Sequence, residues 1–403
     1  MPNMTAKDII TACCFIVFPW KWTKLKKGNS IKKVEIWLKD YLNISYAQTF
    51  DSGRSSLHFA LKALGAKEET EVLVQAYTCL VVTNAIKWTN AKPIYVDIKN
   101  DFNMDPDDLK RKITPKTKIL IIQHTFGHPA DIDKLIEIAK KHNIKVIEDC
   151  AHSLGVKYKN KYTGTYADAA IYSFGGEKVI SSVRGGAVAT NDKKIYLEIK
   201  KYHDTLPETA TKKILQHLLK YPIFSISKIL YNIKLGKIIL AISKKLSITS
   251  LIISNPEKEG SQDKHYPAKF PNSLASILLN QIKNIDKIQK NRNNKAKLYS
   301  KKITNSKITI PQSSKDTKFL RYTILSENRD KIIQTAKENG IILGTWYNHV
   351  ITPEPQNCDI TGYIPGSCRV AEKLSKTSLN LPINQSIKEA DIYRILDIVN
   401  SKD

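Results

Sequence analysis

Between Val146 and Asp192 the chain sets several reactive side chains at short intervals. An acidic pair, Glu148-Asp149, closes the apolar run Val146-Ile147, and His152 follows. Ser173 and Lys178 flank Phe174-Gly175-Gly176-Glu177, and Gly185-Gly186-Ala187-Val188 comes next. Each group alone has a bland use. An Asp ending a strand commonly caps the following helix, most lysines are solvated, and a lone His is usually a satisfied structural residue. Together they describe a chemistry. Lys178 lies between Phe174 and Val179-Ile180, an apolar setting that lowers an amine's pKa and favours the neutral form that attacks carbonyls. Asp149 could keep a pyridine nitrogen protonated so that the ring accepts electrons. Ser173 could reach a phosphate. An aldehyde, a pyridine ring and a phosphate on one molecule describe pyridoxal phosphate (PLP), with Lys178 as its Schiff-base partner.

The same residues sit in a longer pattern. Asp51-Ser52-Gly53-Arg54-Ser55-Ser56-Leu57, Asn84-Ala85-Ile86 and Pro93-Ile94-Tyr95-Val96-Asp97 precede them. His124-Thr125-Phe126-Gly127-His128-Pro129 and Ser378-Leu379-Asn380-Leu381-Pro382 complete the series. Across about residues 45 to 400 the chain resembles the DegT/DnrJ/StrS family of PLP-dependent sugar aminotransferases. The resemblance implies an α/β fold of PLP fold type I. Its mostly parallel seven-stranded sheet is sandwiched by helices, and a smaller α+β C-terminal domain follows. It implies Lys178 and Asp149 as catalytic residues. His152 beside the ring, and Ser173, Gly53, Arg54 and Ser55 at the phosphate, would complete the cofactor site. It further implies glutamate as amino donor, a nucleotide-linked keto-sugar as acceptor, a role in surface polysaccharide or glycolipid synthesis, and a homodimer. Thr345-Trp346-Tyr347-Asn348-His349 falls where relatives approach substrate. Lys178 also argues against the family's sugar dehydratases, in which His replaces this Lys.

Three positions depart from the family pattern. Cys79 stands where relatives often place an aromatic over the ring, with Tyr77 or Trp88 as candidates to substitute. Pro267 stands near the neighbouring-subunit Asn that binds phosphate, with Lys264 or Lys269 as possible replacements. Arg184 replaces the acidic residue usual before the double Gly.

The elements that must position these groups alternate regularly. Helix patterns cover Ile31–Leu42, a segment opened by Ser52-Gly53 and stopped near Gly65, Thr78–Trp88, Asp105–Ile113 and Asp131–His142. Extended runs cover Tyr46–Phe50, Val72–Gln75, Pro93–Val96, Ile119–Ile122 and Lys145–Ile147. Such βα alternation predicts a mostly parallel sheet with its chemistry at the strands' carboxyl ends. The helix opened by Ser52-Gly53 offers free N–H groups to an anion. Pro271–Lys290 reads as an amphipathic helix with a charged continuation to Tyr299. Strands at Ile308–Ile310, Phe319–Ile324 and Ile341–Leu343 and a last helix at Ile387–Val399 follow.

With 403 residues the chain can bury a substantial core in two lobes. Four parts are expected: an apolar and basic segment at 1–30, a PLP-binding α/β domain at 31–204, a basic helical insertion at 205–262, and a helix with a small α+β domain at 263–403. The six cysteines show no paired zinc-type spacing, which suits a reducing cytoplasm and no metal. The net charge of +26 suits nucleic acid, an anionic membrane or anionic nucleotide substrates. No helix-turn-helix, zinc-finger or RNA-binding signature supports nucleic acid.

Two segments stand outside the family pattern. Ile9–Trp20 is almost wholly apolar and is followed by Lys21, Lys24, Lys26 and Lys27, too short a run to span a bilayer. It reads either as an interfacial anchor or as a segment packed on the body. Residues 209–256 carry eight lysines and no Asp or Glu, interleaved with Ile, Leu, Phe and Tyr. Pro222 and Gly236 are expected to break this stretch into short helical pieces. It reads as a membrane-surface segment or as an inserted subdomain or subunit interface. The two segments together favour a cytoplasmic protein with peripheral membrane contact. The alternative to an active aminotransferase is a membrane-surface binding protein on the same fold with little or no catalysis.

Overall fold

The computed structural model describes residues 4–231, 233–354 and 360–401. Cys358 falls outside them. Seven strands form the central sheet: β1 (Tyr46–Phe50), β2 (Glu71–Gln75), β3 (Lys92–Val96), β4 (Thr117–Gln123), β5 (Lys145–Asp149), β6 (Ala169–Ser173) and β7 (Gly186–Thr190). Their order across the sheet is β1-β7-β6-β5-β4-β2-β3. Only β7 runs antiparallel, against both β1 and β6. The mostly parallel seven-stranded sheet is therefore present as expected. Parallel strands covered on both faces need continuous apolar runs. Ile119, Leu120, Ile121 and Ile122 of β4 are accordingly all fully buried. Each such burial stabilises the fold by roughly 1.5–3 kcal/mol.

This topology gathers chain ends at one edge. β1, β5 and β6 end at Phe50, Asp149 and Ser173, and antiparallel β7 begins there at Gly186. Gly186 pairs with both Ser173 and Phe50. Only glycine fits there: a Cβ on Gly186 would lie 2.5 Å from the nitrogen of Gly53. The chain after β1 turns at Ser52 into helix α3 (Gly53–Ala63), following α1 (Ala6–Val17) and α2 (Asn29–Leu42). Ser52 caps α3 by accepting from the Ser55 N–H.

Several local expectations shift. Thr78-Cys79 is extended and pairs with Ile351-Thr352, so the helix starts at Leu80 instead of Thr78. The helix predicted from Pro271 is divided at Lys283-Asn284 into Asn272–Ile282 and Ile285–Lys302. The small C-terminal sheet pairs Tyr322–Leu325 with Ser378–Leu381, while Ile341–Leu343 forms no strand. Thr309 contributes a single bridge to Leu325.

The insertion corrects the sequence reading most clearly. α4 (Thr211–Ile229) runs straight through Pro222, and α5 (Leu235–Lys245) carries Gly236 inside its first turn. Proline removes one backbone donor without ending the helix here, because Ile214, Leu218 and Tyr221 hold α4 in a core shared with Ala12 and Phe15 of α1. Gly236 serves close approach: its Cβ would lie 2.1 Å from the Ser227 carbonyl oxygen on α4. The N-terminal segment thus packs on the body with its inner face. Its outer face leaves Trp20 and Trp22 exposed, and the insertion exposes Ile229 and Ile233 at 77% and 62%. No helix among the described residues is long and apolar enough to cross a membrane.

Candidate active site

One cavity is lined by Gly53, Arg54, Asp149, His152, Ser173 and Lys178. Six of the seven residues singled out from the sequence therefore meet around it. Ser55 does not line it: its hydroxyl turns inward and donates to Asp51 Oδ1 at 2.7 Å.

Asp149 closes β5 and is buried. Its Oδ1 accepts the Ala151 N–H at 3.0 Å. Burial raises its pKa, and the nearby amine of Lys178 pulls it back down. Lys178 lies in the loop between β6 and β7, its N–H bonded to the Gly175 carbonyl at 3.1 Å. Burial lowers the pKa of its amine, against the opposing pull of Asp149. The neighbouring Glu177 pairs with Arg321 and ties this loop to the C-terminal part of the chain.

Glu148, beside Asp149, faces the other way. It accepts N–H groups from Gly164, Tyr166 and Ala167 at 2.7, 2.8 and 3.1 Å. It also meets His124 Nε2 at 3.1 Å. His124, Glu148 and Cys150 have a metal-like spacing, but the carboxylate is already engaged by backbone donors. The acidic pair thus divides its work: Glu148 fixes a loop and Asp149 faces the cavity.

His152 Nδ1 accepts the Phe126 N–H at 3.4 Å, leaving Nε2 to carry the neutral ring's proton. Burial, with Lys178 and Arg321 nearby, drives its pKa well down. The ring stacks near-parallel to Phe126 at 5.8 Å and to Tyr347 at 6.2 Å. His152 and Tyr347 therefore supply the aromatic wall that Cys79 does not. Tyr77 and Trp88 do not line the cavity. Tyr77 bonds Ser378 at 2.8 Å, and Trp88 donates to the Gly260 carbonyl at 2.9 Å.

A helix start leaves its first N–H groups without intrahelical acceptors. Ser52 takes that of Ser55, and Gly53 and Arg54 line the cavity. A Cβ on Gly53 would come within 2.8 Å of Ser173 Cβ, so the helix start and the Ser173 hydroxyl form one corner. That corner suits a phosphate, and Asp149 with Lys178 suits a pyridine ring bearing an aldehyde. The residues fit PLP.

Lys264 and Lys269 do not line the cavity. Lys264 is exposed, and Lys269 Nζ reaches the Asp204 carbonyl at 3.4 Å. The lining cations besides Lys178 are Arg54, Arg184, Lys220 and Arg321. Arg184 pairs with Asp51 Oδ2 at 3.0 Å and stacks 3.4 Å from the Tyr266 ring centre. Arg54 pairs with Glu257 and donates to the Ile252 carbonyl at 2.6 Å. The insertion thus roofs the cavity, with His217, Lys220 and Ser250–Ile253 in its lining. Sequence reasoning missed Arg321, Lys220 and Glu257 as site-forming residues. A signal existed for Glu257, since Ser254-Asn255-Pro256-Glu257 reads as a capping box and forms one.

The DegT/DnrJ/EryC1/StrS aminotransferase family matches residues 19–400. GDP-perosamine synthase of Escherichia coli O157:H7 is 46% identical over 171 residues, 42% of this chain and 47% of that protein. The chain thus spans about half the length of that curated relative. Protein MJ1066 of Methanocaldococcus jannaschii is 28% identical over 93% of this chain and 89% of its own length. Among solved structures, NtdA from Bacillus subtilis, with bound PMP, superposes with a TM-score of 0.75 at 22% identity. It covers 98% of this chain and 82% of NtdA.

Proposed function

Because the chain belongs to the DegT/DnrJ/EryC1/StrS aminotransferase family, we propose that it moves an amino group from glutamate to a nucleotide-linked keto-sugar, with PLP as cofactor. The observation that carries this reading is the meeting of Lys178, Asp149, Ser173 and the α3 start in one cavity. The relative named as a GDP-perosamine synthase supports a sugar nucleotide as acceptor. We place the product in surface polysaccharide or glycolipid synthesis.

PLP, when bound, supplies an aldehyde that can carry an amino group and a ring that accepts electrons. Lys178 would hold that aldehyde, and its Nζ, once freed by the donor's amine, would move the proton at the donor's α carbon and, in the second half-reaction, at the acceptor's carbon. The lowered pKa keeps this amine available as a base. Asp149 holds the proton on the ring nitrogen by charge. His152 and Tyr347 would flank the ring, and Ser173 with the Gly53 and Arg54 N–H groups would hold its phosphate. The roof excludes water from the reacting atoms.

The test is direct. Borohydride reduction of PLP-loaded protein, followed by peptide mapping, should place a pyridoxyl group on Lys178. Glutamate should then yield 2-oxoglutarate in step with amination of a nucleotide keto-sugar. A label on another lysine would falsify the site assignment.

A homodimer is part of the same proposal, and sedimentation tests it. The segment expected to face a partner is held by its own chain: Ala268 N–H donates to Asp51 Oδ1 at 2.9 Å. Peripheral membrane contact is favoured by the insertion's outer face, where Ile229 and Ile233 stand exposed among Lys228, Lys234 and Lys237. Basic residues near an anionic leaflet contribute about 1 kcal/mol each.

A further inference from the structure

Lys220 is the least explained charge in the cavity. It sits on α4, is only 8% exposed, and lines the same space as Gly53, Arg54 and Ser173. Among the described residues its ammonium makes no hydrogen bond and no ion pair. The carboxylates around the roof are already engaged. Asp51 takes Arg184, the Ser55 hydroxyl and the Ala268 N–H. Glu257 takes Arg54 and the Ser254 N–H, the latter at 2.7 Å. Of the three cations, Arg54 is paired with Glu257 and Arg184 with Asp51, while Lys220 has no carboxylate partner among the described residues.

Resting on the reading above, we propose that Lys220, backed by Arg184, is the cationic half of a phosphate subsite that the insertion completes over the first turn of α3. A buried ammonium without a counter-ion is costly, and an anion removes that cost. Burial and the charge of Arg184 press the Lys220 amine down to about 8. His217 adds shape without charge: its Nε2 meets the Tyr266 hydroxyl at 3.2 Å and its Nδ1 the Ser250 hydroxyl at 2.7 Å. Lining the same cavity as Lys220, the first-turn N–H groups of α3 and the Ser173 hydroxyl offer neutral donors to the same oxyanion. All of these groups belong to one chain. Two phosphates could fill the subsite, that of the cofactor or the diphosphate of the acceptor.

Lys220→Met in the full-length protein separates them. Binding of pyridoxamine phosphate, pyridoxamine and guanosine diphosphate is measured by titration calorimetry. Losing a charged hydrogen-bond partner weakens a phosphate ligand by about tenfold to a hundredfold. A loss for pyridoxamine phosphate, with pyridoxamine unchanged, assigns the subsite to the cofactor. A loss confined to guanosine diphosphate assigns it to the acceptor. Unchanged affinity for both phosphates in a folded variant overturns the proposal. Where the variant does not fold, wild-type protein is acetylated and mapped at Lys220. Pyridoxamine phosphate or guanosine diphosphate should slow the labelling, and equal labelling with and without both overturns the proposal. The same labelling on Lys178→Ala protein keeps this outcome separate from the identity of the cofactor-bearing lysine.

Discussion

The floor and the roof of the cavity are built differently. The floor is made of chain ends that the sheet registers side by side, and its groups are mutually bonded. Asp149 is held by Ala151, Ser52 caps α3, and Gly186 lies against the Gly53 nitrogen. The roof, residues 211–258, is anchored in the core through Ile214, Leu218 and Tyr221 of α4, and its later part is held over the cavity by a few long-range polar contacts. Glu257 meets Arg54, the Asn84 side chain donates to the Glu257 carbonyl at 2.7 Å, and His217 meets Tyr266. Its outer isoleucines, Ile229 and Ile233 among them, are exposed. A densely bonded floor is the place for chemistry that tolerates little displacement. A roof contributed by a separate helical segment is the place for recognition that can vary without disturbing the floor.

The widest gap between the two should appear in turnover. Lys178→Ala is expected to lower it by about a thousandfold or more, since it removes both the covalent anchor and the proton carrier. Asp149→Asn should cost about a hundred- to a thousandfold with PLP still bound, as a neutral amide holds the ring proton less well. Steady-state kinetics with absorption spectra read both. Near wild-type turnover in either would move the chemistry away from the floor.

Acid should strain both regions through buried neutral histidines. In the floor region His58 and His128 are lowered to about 4, chiefly by burial. In the roof His217 lies well below its ordinary value, first by burial and then by Arg184, Lys220 and Lys213. Such a group is neutral in both states above about 6.5, so its share of stability is intact there. As pH falls from about 6.5 towards 4, the unfolded chain binds protons first and stability drops. The loss is about 2 kcal/mol at pH 5 for each histidine lowered to about 4. Urea unfolding at pH 7.5 and pH 5 measures the sum. His217→Gln should relieve only the roof's part, and equal stability at both pH values would contradict the burial argument.

The smallest effect concerns the outer face. Ile229→Ser and Ile233→Ser should change unfolding free energy by less than about 0.5 kcal/mol, because both side chains are exposed. The same variants should reduce co-sedimentation with anionic vesicles at low salt. Retention equal to wild type, or no retention of the wild-type protein at all, would reassign this face to contact between subunits.

Legibility in the sequence followed the same division. Asp149, Ser173 and Lys178 could be read together because each closes or follows a short apolar strand, and strand register converts short spacing into proximity. Ser52-Gly53 announced a helix start for similar local reasons. Ser55 misled, because a hydroxyl beside a helix start can turn inward to Asp51 as easily as outward. Lys220 could not be told from the other seven lysines of its stretch. Its burial depends on α4 docking against α1, a contact about two hundred residues apart in sequence. Pro222 pointed to a break because proline weakens isolated helices, while tertiary packing decided the outcome.

The Arg54 side chain has a further consequence. Arg54 belongs to the turn that would receive a phosphate and, through Glu257, also fastens the roof. A ligand that binds only while the Arg54–Glu257 contact is made stabilises that contact, and the contact favours the ligand by the same factor. Such a ligand at a hundred times its Kd stabilises the form with the contact made by about 2.7 kcal/mol, close to a hundredfold in the fraction without it. Protease resistance of the segment between α4 and Glu257 can therefore serve as an occupancy gauge. A screen of candidate sugar nucleotides could use it before any turnover assay exists.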